Sequence, residues 1–352
     1  MKKIFFTIVM VSLFSAQSLF AISVRAIRTV DLGVVENSIA DASFESVNTK
    51  LNDVFTKYGS TADFATASSN TLASTYNTAT YVGFQDYDYF SVSTGFMISS
   101  SGIFLDGDTY SGSGSIAGNV GINADWLLQK FDIDLKDKNR FYLNIKFGIV
   151  PFVPGSMKEY DLGTTEMAFD SSMFGIGANY SIIEQKSFEK FGLDLAKWKG
   201  VSLGTGIYYT SQDLSLTQDV DITSGYVYYK GNVPFKMSSS TVTIPFEALT
   251  AVQLLIFNLS VGAGVDLNIG STTLSADPSD VVRTNADIPG YLSAGEELGR
   301  IDIDVEDGSA SILRAKIMGG IGILLGPVKI EVPFYYYPTA DVAFGITIGA
   351  VW

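Results

Sequence analysis

Phe257-Asn258-Leu259-Ser260-Val261-Gly262-Ala263-Gly264-Val265-Asp266-Leu267-Asn268-Ile269 alternates apolar with small or polar residues without a break. Successive side chains of a strand point to opposite faces, so this stretch has one face of Phe, Leu, Val, Ala and Ile. Its other face is Asn, Ser, Gly and Asp. The run is far longer than the ~5–6 residues of an ordinary strand. A soluble sheet would clothe its outer face in Lys, Glu and Thr. Here the polar face is small and mostly uncharged, which suits a barrel interior, while the apolar face suits lipid.

The same texture recurs along the chain. Ile116 to Leu128, Phe141 to Ile149, Phe174 to Ile182, Leu313 to Ile323 and Val342 to Trp352 all carry the two-residue period. Together they predict a mainly β chain, a transmembrane antiparallel β-barrel of about twelve strands, with Arg300–Glu306 the weakest of them. Ser271–Gly299, which holds Pro278 and Pro289, reads as a loop. Tyr208-Tyr209, Tyr226, Tyr228-Tyr229, Tyr335-Tyr336-Tyr337 and Trp352 read as an aromatic girdle at the strand ends.

The first 80 residues differ. Met1-Lys2-Lys3 followed by the apolar run Ile4–Phe14 and small residues up to Ala21 reads as a signal peptide over 1–21. From Glu36 to Tyr76 the period becomes helical, with Phe44, Val47, Leu51, Val54 and Tyr58 on one face. Tyr58-Gly59-Ser60 marks a stop and a new start, so a helical hairpin is expected within 22–80. Such a hairpin is not stable alone and needs a surface to bury its face. Glycines on the polar strand faces (Gly175, Gly177, Gly204, Gly206, Gly262, Gly264) leave room for curvature or for another backbone. The hairpin is therefore expected either as a plug inside or across the barrel formed by 81–352, or as a periplasmic appendage.

Composition removes many functions. The chain has no Cys and no His, which excludes disulfides, thiol chemistry, His-based metal sites and any catalysis through an imidazole base. Its net charge of −14 argues against nucleic acid as a partner. Asp302, Asp304 and Glu306 share one face of a strand, but Gly308 comes too late and Leu313 stands where a calcium loop needs Glu. They read as a solvated or lumen-facing acidic stripe, with no metal and no cofactor. Paired carboxylates such as Asp302 and Glu306 have no hydrolase signature around them, and none of the Gly-x-Gly triplets continues as a nucleotide loop. No enzymatic activity is expected.

Two resemblances follow from these residues. An aromatic final residue closing an alternating strand, with Phe344, Ile346, Ile348 and Trp352 in place, resembles the C-terminal insertion signal of bacterial outer-membrane β-barrel proteins. The penultimate Val351 departs from the polar residue usual there. Lys130-Phe131-Asp132-Ile133-Asp134-Leu135 and Lys190-Phe191-Gly192-Leu193-Asp194-Leu195 look like copies, and the second runs into Trp198-Lys199-Gly200-Val201-Ser202-Leu203-Gly204-Thr205-Gly206. With the N-terminal helical region, that stretch resembles the spirochaetal surface-protein family named for a leptospiral surface adhesin. The resemblances imply an outer-membrane location after signal-peptide cleavage. They also imply contact with outer-membrane lipid and the barrel-assembly machinery, and host surface or matrix proteins as partners.

The functional expectation is an exported, non-enzymatic outer-membrane surface barrel acting in adhesion or as a structural barrel. The alternative is a channel or transporter for small or hydrophobic solutes. Lys146, Asp266, Arg314 and Lys316 fall on the polar strand faces and are the expected lumen-facing charges.

Overall fold

Ten long strands hold more than half of the residues that the computed structural model describes, which are 23–32, 34–55, 61–82, 87–101, 111–131, 141–151, 155–159, 163–190, 193–278, 281–288, 291–339 and 341–352. They are β1 Phe90–Ser101, β2 Ser111–Asn123, β3 Phe141–Pro151, β4 Gly163–Ile183 and β5 Leu193–Ser224. The series continues with β6 Val227–Leu254, β7 Phe257–Ala276, β8 Leu313–Leu325, β9 Val328–Tyr337 and β10 Asp341–Val351. Each pairs antiparallel with the next. The pairing of β10 with β1, from Asp341↔Ser101 to Val351↔Ser91, closes the ring. The result is an up-and-down β-barrel in which no edge is left in the wall. The expected count of about twelve strands becomes an even ring of ten. Arg300–Glu306 falls outside it, because Glu297–Asp304 pairs with Val281–Thr284 and with the N-terminal strand Ser23–Arg28.

The alternation read from the sequence sets the two faces. Leu259 is 48% exposed on the outside, whereas its neighbour Ser260 is 3% exposed and faces inward. Phe147, Ile149, Phe174, Ile176, Val261, Ile317, Ile321 and Val332 also project outward. So do Phe344, Ile346 and Ile348, and the Trp352 ring stacks on Phe90 with centroids 4.8 Å apart. These residues form an apolar belt around a polar interior, the inverse of a soluble core. The girdle expectation is corrected in part. Tyr209, Tyr226 and Trp352 are exposed, but Tyr208, Tyr229, Tyr335 and Tyr337 are buried because their strand parity turns them inward.

The two ends of the barrel differ. At one, the turn end, Leu255-Ile256 and Gly326-Pro327 make tight turns, with Leu255 and Gly326 in the left-handed region (φ 54° and 61°). The C-terminus lies at this end, where the Tyr89 N–H donates to the carbonyl of Trp352 at 2.8 Å. At the other, the loop end, β5 and β6 run to 32 and 28 residues, far beyond the ~9–11 that cross a bilayer. Their tips, Asp219–Ser224 and Val227–Asn232, pair only with each other and with Arg283 and Thr284. The sequence expectation of a loop over Ser271–Gly299 is thereby corrected: β7 continues to Ala276, and the β-branched Val281–Thr284 adds a strand to the tip of β6.

A helix, α1 (Val34–Phe55), covers this extension. Phe44 and Val47 pack into a hydrophobic cluster with Leu216, Val220, Val227, Tyr229, Phe235, Val282, Leu298 and Ile301. The second helix, α2 (Thr61–Ser74), lies elsewhere, inside the ring. The two N-terminal helices meet only at the start of α2, where Phe64 and Ala65 join the same cluster as Phe44 and Val47, while the rest of α2 lies among hydroxyls. A short helix, α3 (Ala124–Gln129), is capped by the Asn123 side chain at the turn end. The expected signal peptide over 1–21, Tyr58 of the helical stripe and Asp132–Leu135 of the first repeated segment lie outside the described residues.

Leu259→Arg is expected to destabilise the folded barrel in lipid by about 1–2 kcal/mol, less than the ~2–4 kcal/mol of a cation at the bilayer midplane, because Leu259 is the third residue of β7 from the turn end. Leu259→Val should leave it nearly unchanged. The urea midpoint for loss of the heat-modifiable gel band measures both, and an unshifted midpoint for Leu259→Arg would contradict the lipid-facing assignment.

Candidate functional site

The interior of the ring is occupied by Thr61–Val82 of the same chain. Asp63 sits in the first turn of α2, where a carboxylate complements the helix dipole. Ala, Ser and Thr dominate the helix, and their small side chains let it fit within ten strands. From Ala67 to Ala79 every residue is buried. Hydroxyl pairs line the contact: Ser68 with Ser111 (2.8 Å), Ser69 with Thr272 (2.7 Å), Ser74 with Ser99 (2.5 Å), and Thr78 with Ser115. A 3-10 turn over Thr75–Asn77 ends the helix, and Ala79 follows with φ 59°. Gly95 of β1 is required opposite it, since a Cβ there would come within 2.7 Å of the Ala79 nitrogen.

Tyr76 is the centre of the site. Its hydroxyl donates to Glu247 Oε1 at 2.9 Å or to Asp266 Oδ1 at 3.0 Å, and accepts from Lys316 Nζ. Lys316 in turn bridges the two carboxylates, at 2.5 Å from Glu247 and 2.8 Å from Asp266. The Tyr76 ring stacks on Tyr208 at 5.0 Å, and Tyr208 lies against Gly175, Gly177 and Gly206, where no Cβ would fit. The inward glycines therefore make room both for a second backbone and for a ring.

Three further contacts continue the pattern. Lys146 donates to the Tyr76 carbonyl at 2.7 Å and to the Thr80 hydroxyl. Arg314 pairs with Asp341, donates to the Asn70 carbonyl at 2.7 Å and stacks over Tyr337 at 4.0 Å. The Tyr337 hydroxyl donates to Asp266 Oδ2 at 3.0 Å and accepts from Asn77 at 3.2 Å. Lower down, Glu331 pairs with Lys329 at 3.1 Å and accepts the Val82 N–H at 2.6 Å, while Lys329 sits over the Tyr81 ring.

All four expected lumenal charges, Lys146, Asp266, Arg314 and Lys316, are thus placed on the inner wall. Glu247, Lys329, Glu331 and Asp341 share it, and were missed although strand parity alone puts them on the face of their small neighbours. Among the described residues, the wall's inner face therefore carries four cations and four carboxylates, with no net charge. Burying ions without partners is costly, and this arrangement pairs them with one another and with the threaded segment.

The acidic stripe lies apart from the lumen. Asp302, Asp304 and Glu306 are exposed at the loop end, where Asp302 stands opposite Arg25. Among the described residues no group of three or more His, Cys, Asp or Glu side chains is arranged to hold a metal. A cavity of about 30 Å³ between Tyr76, Lys146, Tyr208, Glu247 and Asn119, Asn144 and Asn179 has room for roughly two water centres.

A family model described as Lsa36-like matches residues 31–352. The translocator domain of the autotransporter NalP from Neisseria meningitidis is similar at 9% identity, covering 90% of this chain and 98% of that one, with a TM-score of 0.37. The transport unit of AIDA-I from Escherichia coli gives 11% identity, 81% and 98% coverage and a TM-score of 0.33. CarO from Acinetobacter baumannii gives 10%, 74% and 97%, and 0.29. No curated protein matches the chain. The barrel assignment rests on the strand pairings themselves and not on these likenesses.

Lys316→Met should leave Glu247 and Asp266 sharing a buried space without their cation. The expected loss is about 3–5 kcal/mol, the range for breaking one side of a buried pair. The thermal midpoint of the heat-modifiable band reads it, and a midpoint equal to that of the parent protein would show that the ion cluster does not hold the segment.

Proposed function

From a chain that belongs to the Lsa36-like family and fills its own barrel, we propose a non-enzymatic outer-membrane surface protein that acts by adhesion or as a structural barrel, not as an open channel. The occupied, charge-neutral lumen carries this reading. A pore for ions or polar solutes needs water along its axis, whereas here Thr61–Val82 lies across the section and engages the wall charges. The channel alternative requires that segment to leave, at the cost of exposing eight buried or nearly buried charged side chains.

The apolar belt matches outer-membrane lipid, and the Phe344, Ile346, Ile348 and Trp352 strand matches the signal read by barrel-assembly machinery. Short turns in such barrels face the periplasm and long loops face outward. By that rule the β5–β6 extension, the side sheet and α1 stand above the outer surface, with their own hydrophobic cluster to keep them folded. A rigid projection of this kind is suited to contact with host surface or matrix proteins, the partners that the family resemblance implies. Its solvent-facing Asp302, Asp304 and Glu306 belong to that projection.

Refolded full-length protein in planar lipid bilayers is expected to insert without steady conductance. A variant lacking residues 23–82 should insert through the same ten strands and conduct, since the wall's backbone hydrogen bonds do not involve the deleted part. Steady conductance from the full-length chain at the level of the deletion variant would overturn the closed-barrel reading.

A further inference from the structure

The N-terminal strand and the first wall strand begin at opposite ends of the barrel. Ser23–Arg28 pairs with Glu297–Asp304 in the connection between β7 and β8, at the loop end. There α1 holds it: Asn48 accepts from the Ala26 N–H at 2.5 Å and donates back to the Ala26 carbonyl at 3.3 Å. The same helix grips the β5–β6 hairpin through Ser46 with Ser224 (2.7 Å) and Lys50 with the Thr223 carbonyl (3.0 Å). Sixty residues later the chain is at the turn end, with Tyr89 bonded to Trp352 and, through its carbonyl, to the Asn123 N–H at 2.8 Å.

The contacts between these points descend in order. Along β1, which rises from Phe90 at the turn end to Ser101 at the loop end, Ser74 meets Ser99 and Ala79 meets Ser93. Along β8 and β9, Asn70 meets Arg314 near the loop end and Val82 meets Glu331 near the turn end. The chain therefore passes through the lumen from one end to the other. Charge is distributed accordingly. The part inside, Thr61–Val82, holds one charged residue, Asp63, and this lies at the loop-end mouth. The part beyond it, Ser23–Phe55, holds eight: Arg25, Arg28, Asp31, Glu36, Asp41, Glu45, Lys50 and Asp53. A segment that stays in a dry, already balanced lumen gains by being nearly uncharged, and one that stands in water does not.

We infer that the chain carries its own N-terminus through its barrel, so that Ser23–Phe55 is displayed with the loops while the C-terminus remains at the turn end. The lumenal segment is an eleventh crossing of the membrane, and the N-terminal strand and α1 are parts of the exposed projection. Which compartment the loop end faces rests on the orientation proposed above, but the passage itself does not.

The absence of cysteine makes the test direct, because single-cysteine variants carry one reactive thiol. Ile39→Cys lies on α1 (47% exposed) and Tyr226→Cys at the tip of the β5–β6 hairpin (44% exposed). Asp88→Cys and Lys186→Cys are exposed at the turn end. A membrane-impermeant maleimide is applied to intact cells and to cells with a permeabilised outer membrane, after each variant is shown to be heat-modifiable. Ile39→Cys and Tyr226→Cys should label in intact cells, and Asp88→Cys and Lys186→Cys only after permeabilisation. Should Ile39→Cys fail to assemble, Ala42→Cys, exposed on the same helix, takes its place. Labelling at residue 39 that follows 88 and 186, while 226 behaves oppositely, would overturn the passage. If 226 is protected and 186 labelled, the proposed orientation is reversed, yet passage stands so long as 39 still follows 226.

Discussion

Charge balance inside a closed ring is the constraint on which the rest of this structure depends. Eight charged side chains project from six strands of the wall onto its inner face, where Thr61–Val82 lies against them. In such surroundings each ion needs a partner at hydrogen-bonding distance, or its desolvation works against the fold. The wall supplies some of these itself, as with Lys316 between Glu247 and Asp266, and Arg314 with Asp341. Further valences are met by the carbonyls of Asn70 and Tyr76, the Tyr76 hydroxyl, and the Val82 N–H. Barrel and threaded segment are thus one polar assembly, and the inward glycines, above all Gly95, exist where that assembly is tightest.

Much of the barrel was legible from residue order because lipid makes strong demands on a strand. Leu259 and Ser260 face opposite sides in the way their types require, and Phe344, Ile346 and Ile348 do likewise. What alternation does not reveal is which strands join the ring. Glu297–Asp304 looks like any other short strand, yet it pairs with Ser23–Arg28, a partner more than 270 residues away that has no signature of its own. Parity also decides the tyrosines. Clustering alone makes Tyr335 and Tyr337 girdle residues, but odd positions on β9 point inward, so both lie in the lumen.

The site was legible in part for the same reason. Lys146, Asp266, Arg314 and Lys316 stand out as charges among small residues on one face, whereas Glu247, Lys329 and Glu331 sit in segments where Pro245 and Pro333 obscure the alternation. Tyr76 could not be chosen from sequence at all. Its role comes from being carried to the level of Glu247, Asp266 and Lys316 by a helix whose apolar pattern is weak, because that helix faces hydroxyls and ions instead of a hydrophobic core.

Hydrogen exchange of the folded protein in detergent micelles, followed by mass spectrometry of peptides spanning Thr61–Val82, tests most directly that the chain occupies its own barrel. The account predicts that amides from Leu72 to Val82 exchange as slowly as those of β1 and β8, because their segment is enclosed by the wall and bonded to it. Exchange of those amides at the rate of an unprotected peptide, with the wall strands still protected, would contradict it.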